Sequence, residues 1–276
     1  MTHFALVGPE WLEKPHDEDD VVLIDTRPAG DYWAGHLAGA RHIEPTLLSM
    51  QRTDAASISR FQALLSWTLS SVGVDSTSLV LVYGAANEVN VSRVAWALGY
   101  AGVERVIVLD GGLAALGATA ALTQAAPAVQ TKQFTVQPVG SLLATAAQAG
   151  AAGRGEGEHD GVLVDTRERD EFVGQRSNAK RDGRIPGANF WDTRQELDAA
   201  GRFRPAAALV QDFAKIAGAD ERIVAYCGGG GRSARTFLAL QVAGYTNVAV
   251  YPASWNEWGN SDELPIAAGE PVATIV

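Results

Sequence analysis

The chain has 276 residues, 47% hydrophobic and 20% charged, which suits a soluble globular protein long enough for about two ordinary domains. With 32 acidic against 22 basic residues the net charge is −10, which argues against a nucleic-acid-binding surface. No stretch approaches the ~20 consecutive apolar residues of a membrane span, and the N-terminus MTHFALVGPEWLEK lacks the basic start and apolar core of a secretory leader. No membrane partner and a cytoplasmic location are therefore expected.

In chain order, short β-branched runs at 21–24 (VVLI), 79–82 (LVLV) and 105–109 (RVIVL) read as buried parallel strands, with helical spacing over 92–98. Residues 123–140, with two prolines and no long periodic run, read as a linker. Next, 150–161 (GAAGRGEGEHDG) reads as a mobile surface loop. Strand-like runs return at 162–164, 223–225 and 248–250, and 234–242 has helical spacing. The alternation predicts an α/β fold, with an open, mostly parallel sheet flanked by helices on both faces in each half. The expected division is a first domain over 1–122, a linker over 123–139 and a second domain over 140–276.

The halves resemble each other. VVLIDTR (21–27) recurs as GVLVDTR (161–167), 140 residues apart at Asp25 and Asp165. Leu81-Val82-Tyr83 matches Val224-Ala225-Tyr226, Gly99-Tyr100 matches Gly244-Tyr245, and VIVLDGGLAALG (106–117) parallels VAVYPASWNEWG (248–259). Four landmarks in one order at offsets of 140 to 145 indicate a duplication.

Cys227 is the only cysteine, so no internal disulfide or CxxC metal motif exists. The histidines His3, His16, His36, His42 and His159 show no ligand spacing, and no metal or cofactor is expected. A lone cysteine is by default a small buried hydrophobe; its neighbours argue otherwise. A strand ends at Tyr226, a helix is expected from about Ser233 with that serine as its N-cap, and Cys227 opens the turn between them. Loop amides, the helix dipole, Arg232 and Arg235 would all favour a thiolate. Gly228, Gly229, Gly230 and Gly231 let the backbone turn with positive φ and approach an anion closely.

Cys227-x-x-Gly230-x-Arg232-Ser233 resembles the active-site loop of the rhodanese-like sulfurtransferases, a family that takes thiosulfate or 3-mercaptopyruvate as sulfur donor. Asp165-Thr166-Arg167, Glu171-Phe172 and Gly183-Arg184-Ile185-Pro186-Gly187-Ala188 resemble a second family block. The first half repeats it as Asp25-Thr26-Arg27, Tyr32 and Gly35-His36-Leu37-Ala38-Gly39-Ala40. Ser254-Trp255-Asn256-Glu257-Trp258-Gly259 resembles the segment closing the catalytic domain of tandem members. The resemblance implies two tandem rhodanese-like domains and a ping-pong cycle through a Cys227 persulfide, held by the amides of Gly228 to Gly231. It implies that Arg232 attracts an anionic donor, and that Ser233 either bonds the sulfur or caps the helix. It also implies small-molecule partners, a sulfur donor and cyanide or another thiophilic acceptor, with a protein sulfur acceptor as an alternative. The matching loop of the first half, 84–93 (GAANEVNVSR), has no cysteine, so that half reads as a non-catalytic partner covering the pocket.

Two departures stand out. Arg184 replaces the block's usual histidine, and the glycines remove the side chains that would separate thiosulfate from 3-mercaptopyruvate. A Cys-loop-Arg phosphatase is disfavoured, because only four residues rather than five separate Cys227 from Arg232. Asp25, Arg27, Asp165 and Arg167 read as braces of strand-to-helix turns, and Trp255 and Trp258 as packing.

Overall fold

The structure, a computed structural model, describes residues 2–14, 21–155 and 161–271. The first half runs β1 (His3–Val7), β2 (Val21–Asp25), α1 (Ala29–Ala34), β3 (His36–Leu37), β4 (Arg41–His42), α2 (Ala55–Ser71), β5 (Leu79–Tyr83), α3 (Val89–Ala101), β6 (Arg105–Leu109) and β7 (Leu122–Thr123). The second runs α4 (Ala146–Arg154), β8 (Gly161–Asp165), α5 (Arg169–Val173), β9 (Asn189–Phe190), α6 (Ala206–Phe213), β10 (Arg222–Tyr226), α7 (Gly231–Val242), β11 (Val248–Val250) and α8 (Ser254–Trp258).

Two parallel sheets result, ordered β1-β6-β5-β2-β4 and β11-β10-β8-β9. The last four strands of the first sheet have the order of the second, as a duplication requires. β1 has only a vestigial counterpart, a parallel bridge from Leu143 to Val250 beside β11. Side chains alternate across the first sheet. Val22, Ile24, Val80, Val82, Val106 and Val108 join α2 and α3 in one core, whereas Leu81, Tyr83, Ile107 and Leu109 face a smaller cluster with Leu37 and Ala40. The main core continues without a break into the second half, where α3 packs on α7 and Phe4 meets Phe237 edge to face at 5.2 Å.

One expected landmark is corrected. The counterpart of Gly244-Tyr245 is Gly102-Val103, not Gly99-Tyr100. Gly102 (φ 98°) and Gly244 (φ 95°) end α3 and α7, and the next N–H in each half returns to the carbonyl of Leu98 or Leu240. Gly99 is a packing glycine inside α3, where a Cβ would stand 2.3 Å from the Phe4 ring. The surface loop expected over 150–161 is also corrected. Residues 146–154 form α4, started by a Thr145/Gln148 capping box and stopped by Gly155 in the left-handed region, while 156–160 lie outside the described residues.

Residues 124–139 contain neither helix nor strand and run along the first half. The Lys132 N–H donates to Ser70 O, the Gln137 N–H to Ala101 O, and Phe134 is buried. Among the described residues, no helix is long and apolar enough to cross a membrane.

Candidate active site

The site stands on the carboxyl ends of β8 and β10. Thr166 Oγ1 donates to Tyr226 O at 3.0 Å, and Tyr226 Oη donates to Asp165 Oδ2 at 2.6 Å. Asp165 also takes two-point donation from Arg167, whose Nη2 reaches Gly183 O at 2.7 Å; both side chains are sealed from solvent. The first half repeats the brace with Asp25, Arg27 and Gly35. Both DTR runs are therefore turn braces, as expected. Arg184 is likewise structural: it crosses the Phe172 ring and donates to Gly269 O at 2.6 Å.

Cys227 follows β10 directly and is 2% exposed. Three consecutive loop carbonyls are held away from it. Cys227 O accepts from the Trp255 N–H (3.0 Å), Gly228 O from the Asn256 N–H (2.8 Å), and Gly229 O from Arg93 Nη2 (2.8 Å). Because a trans peptide points its N–H opposite to its C=O, anchoring these oxygens turns the following amides inward. The Gly230 N–H accordingly donates to Cys227 Sγ at 3.1 Å.

Gly230 rather than a serine precedes the helix, with φ 89°, and α7 begins at Gly231. The expected N-cap role of Ser233 is thereby corrected, because the positive φ at Gly230 closes the turn and places the N-cap three residues earlier. Ser233 sits in the first turn of α7, with Oγ 3.7 Å from Cys227 Sγ and 3.2 Å from Gly230 O. Burial pushes the thiol up. The Arg232 charge, the Ser233 N–H and Oγ and the Gly229 N–H outweigh it, and Cys227 titrates below the ordinary thiol range.

The two expected cations differ. Arg232 is near the sulfur but gives both guanidinium arms to Glu171, at 2.7 and 3.2 Å. Arg235 turns away from the loop to Glu196 Oε2 (2.8 Å) and Thr193 O (3.1 Å), which corrects its expected contribution to the thiol. Trp255 and Trp258 are buried packing residues, the former under the Arg167 guanidinium at 4.4 Å.

Two contributors were not singled out from sequence. One is Arg93, on α3 of the half without a cysteine. The other is Ser254, whose Oγ accepts from the Cys227 N–H (3.1 Å) and donates to Tyr251 O (2.7 Å). Ser254 is the one non-glycine with positive φ (53°) among the described residues. Its counterpart in the duplication, Gly112 (φ 58°), abuts the loop at Gly84 in the same way, so the repeat itself held the signal. Among the described residues no cluster of His, Cys, Asp or Glu could hold a metal; His16 and His159 lie outside them.

The halves also meet at Glu257, whose carboxylate accepts from the Thr53 N–H (3.0 Å), Thr53 Oγ1 (2.7 Å) and Tyr251 Oη (2.9 Å). Beside it an interdomain cleft of about 590 Å³ is lined by Gln51, Arg52, Asn256 and Asn260.

The chain is similar to a thiosulfate sulfurtransferase of Azotobacter vinelandii, at 28% identity over 95% of this chain and 96% of that protein. It is also similar to a probable 3-mercaptopyruvate sulfurtransferase of Pseudomonas aeruginosa, at 32% identity over 98% and 100%. Among solved structures, the anaerobic ergothioneine biosynthesis enzyme of Chlorobium limicola shares the fold, with a TM-score of 0.83 and 24% identity over 96% of this chain and 70% of that one. The sequence profile of the rhodanese-like domain matches residues 8–119 and again 147–261, one copy on each half of the duplication, and the chain belongs to the rhodanese-like domain family.

Proposed function

We propose that this protein is a sulfurtransferase that takes sulfane sulfur from thiosulfate onto Cys227 and passes it to cyanide or another thiophilic acceptor. The carrying observation is the sulfur cradle: a buried thiol that titrates low, faced by the Gly230 N–H and Ser233 Oγ at the mouth of α7. In the first step the Cys227 thiolate attacks the outer sulfur of thiosulfate. The new S–S bond forms as the old one breaks, and the electron pair leaves with sulfite. In the second step the acceptor attacks the terminal sulfur of the persulfide, so cyanide leaves as thiocyanate and the thiolate returns. The loop amides that face the thiolate are also the donors nearest the persulfide anion.

Gly228, Gly229 and Gly231 supply backbone without side chains around this sulfur, while Arg232, tied to Glu171, fixes the wall of the site. One relative above is named for 3-mercaptopyruvate, and that donor is the second reading. Side-by-side turnover of thiosulfate and 3-mercaptopyruvate, with intact-mass detection of one added sulfur, tests both. Cys227→Ser should abolish transfer and sulfur loading while remaining folded. Normal turnover in that variant refutes the role of the thiol. Loading without efficient turnover of either donor would favour delivery to a protein acceptor.

A further inference from the structure

The sequence signature assigns the site's positive charge to Arg232, but that guanidinium is bonded at two points to Glu171, and its field at the sulfur is opposed by the carboxylate. Arg93 is different. It enters from α3 of the other half and donates only to neutral oxygens, Ser49 Oγ (2.7 Å) and Gly229 O (2.8 Å); among the described residues it forms no ion pair. The peptide it holds is the one whose N–H donates to Cys227 Sγ. A cation on the carbonyl oxygen polarises the whole amide and strengthens that donation. The start of α7 is also built to admit this side chain, since a Cβ on Gly231 would stand 3.1 Å from Arg93 Nη2.

We propose that Arg93 is a positioning residue for the Cys227 thiolate, so that the half without a cysteine supplies the uncompensated positive charge of the sulfur site. The inference rests on reading Cys227 as the working thiolate, but not on the identity of the donor. The charged and titratable groups around the sulfur are few. Arg232 and Glu171 come from α7 and α5, with Glu168 4.0 Å from Arg232 and Arg176 3.7 Å from Glu171; the Asp165–Arg167 brace and Tyr226 underlie the loop, and Glu257 on α8 is engaged by Thr53 and Tyr251. Arg93 is itself held below the usual arginine range by burial, with the Cys227 charge acting against that, so the two groups feel each other.

The test is the pH dependence of Cys227 alkylation by iodoacetamide in the full chain, which needs no sulfur donor. Arg93→Gln should raise the midpoint by about one pH unit, roughly a tenfold loss of rate below both midpoints. Arg93→Lys should return it to within a few tenths. Ser49→Asp keeps Arg93 but gives its Nη1 a carboxylate partner, and should move the midpoint the same way even if Arg93→Gln does not fold. Thr53→Val loosens the domain contact elsewhere and should leave the midpoint in place. An unmoved midpoint in Ser49→Asp or in folded Arg93→Gln overturns the proposal, as does an equal shift in Thr53→Val. Loss of sulfur transfer with normal alkylation profiles would instead count against the reading of the reaction.

Discussion

The four glycines of the loop are not equivalent, and Gly230→Ala against Gly228→Ala measures the difference. At Gly230 the backbone has φ 89°, and an added Cβ would lie 2.5 Å from Pro252 O, a backbone atom that cannot swing aside. The left-handed conformation costs an L-residue about 1–2 kcal/mol. Forcing the β11–α8 turn outward adds an overpacking cost of about 1–3 kcal/mol, so a loss of about 2–5 kcal/mol is expected. The same shift withdraws the Gly230 N–H from Cys227 Sγ, so alkylation should slow at neutral pH. At Gly228 no positive φ is required, and the nearest atom is Arg232 Nη2 at 3.3 Å, the end of a flexible side chain. That variant should stay within about 0.5 kcal/mol of the parent. Urea unfolding and iodoacetamide rates on both proteins decide the matter. Equal stability and equal rates would mean that the loop is held by something other than this backbone geometry.

Other expectations follow from the same contacts. Asp165→Ala leaves a sealed Arg167 unpaired and should cost about 3–5 kcal/mol. Asp25→Ala should cost less, because the Arg27 side chain is 10% exposed; urea midpoints that fail to fall in that order would refute the account of the two braces. Ser254→Ala removes the partner of the buried Cys227 N–H and should cost about 1–3 kcal/mol. Ser254→Gly loses the same bond but relieves the positive φ, and should be the more stable of the two by about 1 kcal/mol in urea unfolding. The thiol also predicts a pH dependence. Its folded value is lowered from the ordinary thiol range, so between the folded and unfolded values the unfolded chain binds more protons than the folded one. Relative to Cys227→Ser, the parent should gain stability as pH rises toward 9, hold it above that, and lose it on acidification through the folded value. A stability difference that stays flat or falls across that range would overturn the low titration of Cys227.

The six strand-like runs and the cysteine loop were legible because their causes are local: β-branched runs between turns, and glycines set between a strand and a helix. β1 was not legible, because HFALV earns its place by pairing with β6, about a hundred residues away. Arg93 was hidden for the same reason. In VNVSRVAWALGY it looks like an ordinary polar residue in the first turns of a helix, and its partner Gly229 is 136 positions distant. The match of Gly99-Tyr100 to Gly244-Tyr245 rested on an identical dipeptide, while Phe4, again a distant residue, explains Gly99.

Arg232 shows the sharper limit of motif reading. Its position marks the loop and its charge lowers the thiol, yet that charge is shared with Glu171, a residue of the same family block. A pattern reports which residue types stand near one another; it does not report which of them neutralise each other. The duplication partly repairs this. Laying the halves together sets Gly112 against Ser254, both with positive φ, and Gly84 against Cys227. The same backbone clamp thus exists in a half that has no sulfur to hold. The clamp is a property of the fold. What distinguishes the second half is a thiol placed in it and, by our proposal, an arginine reaching across from the first.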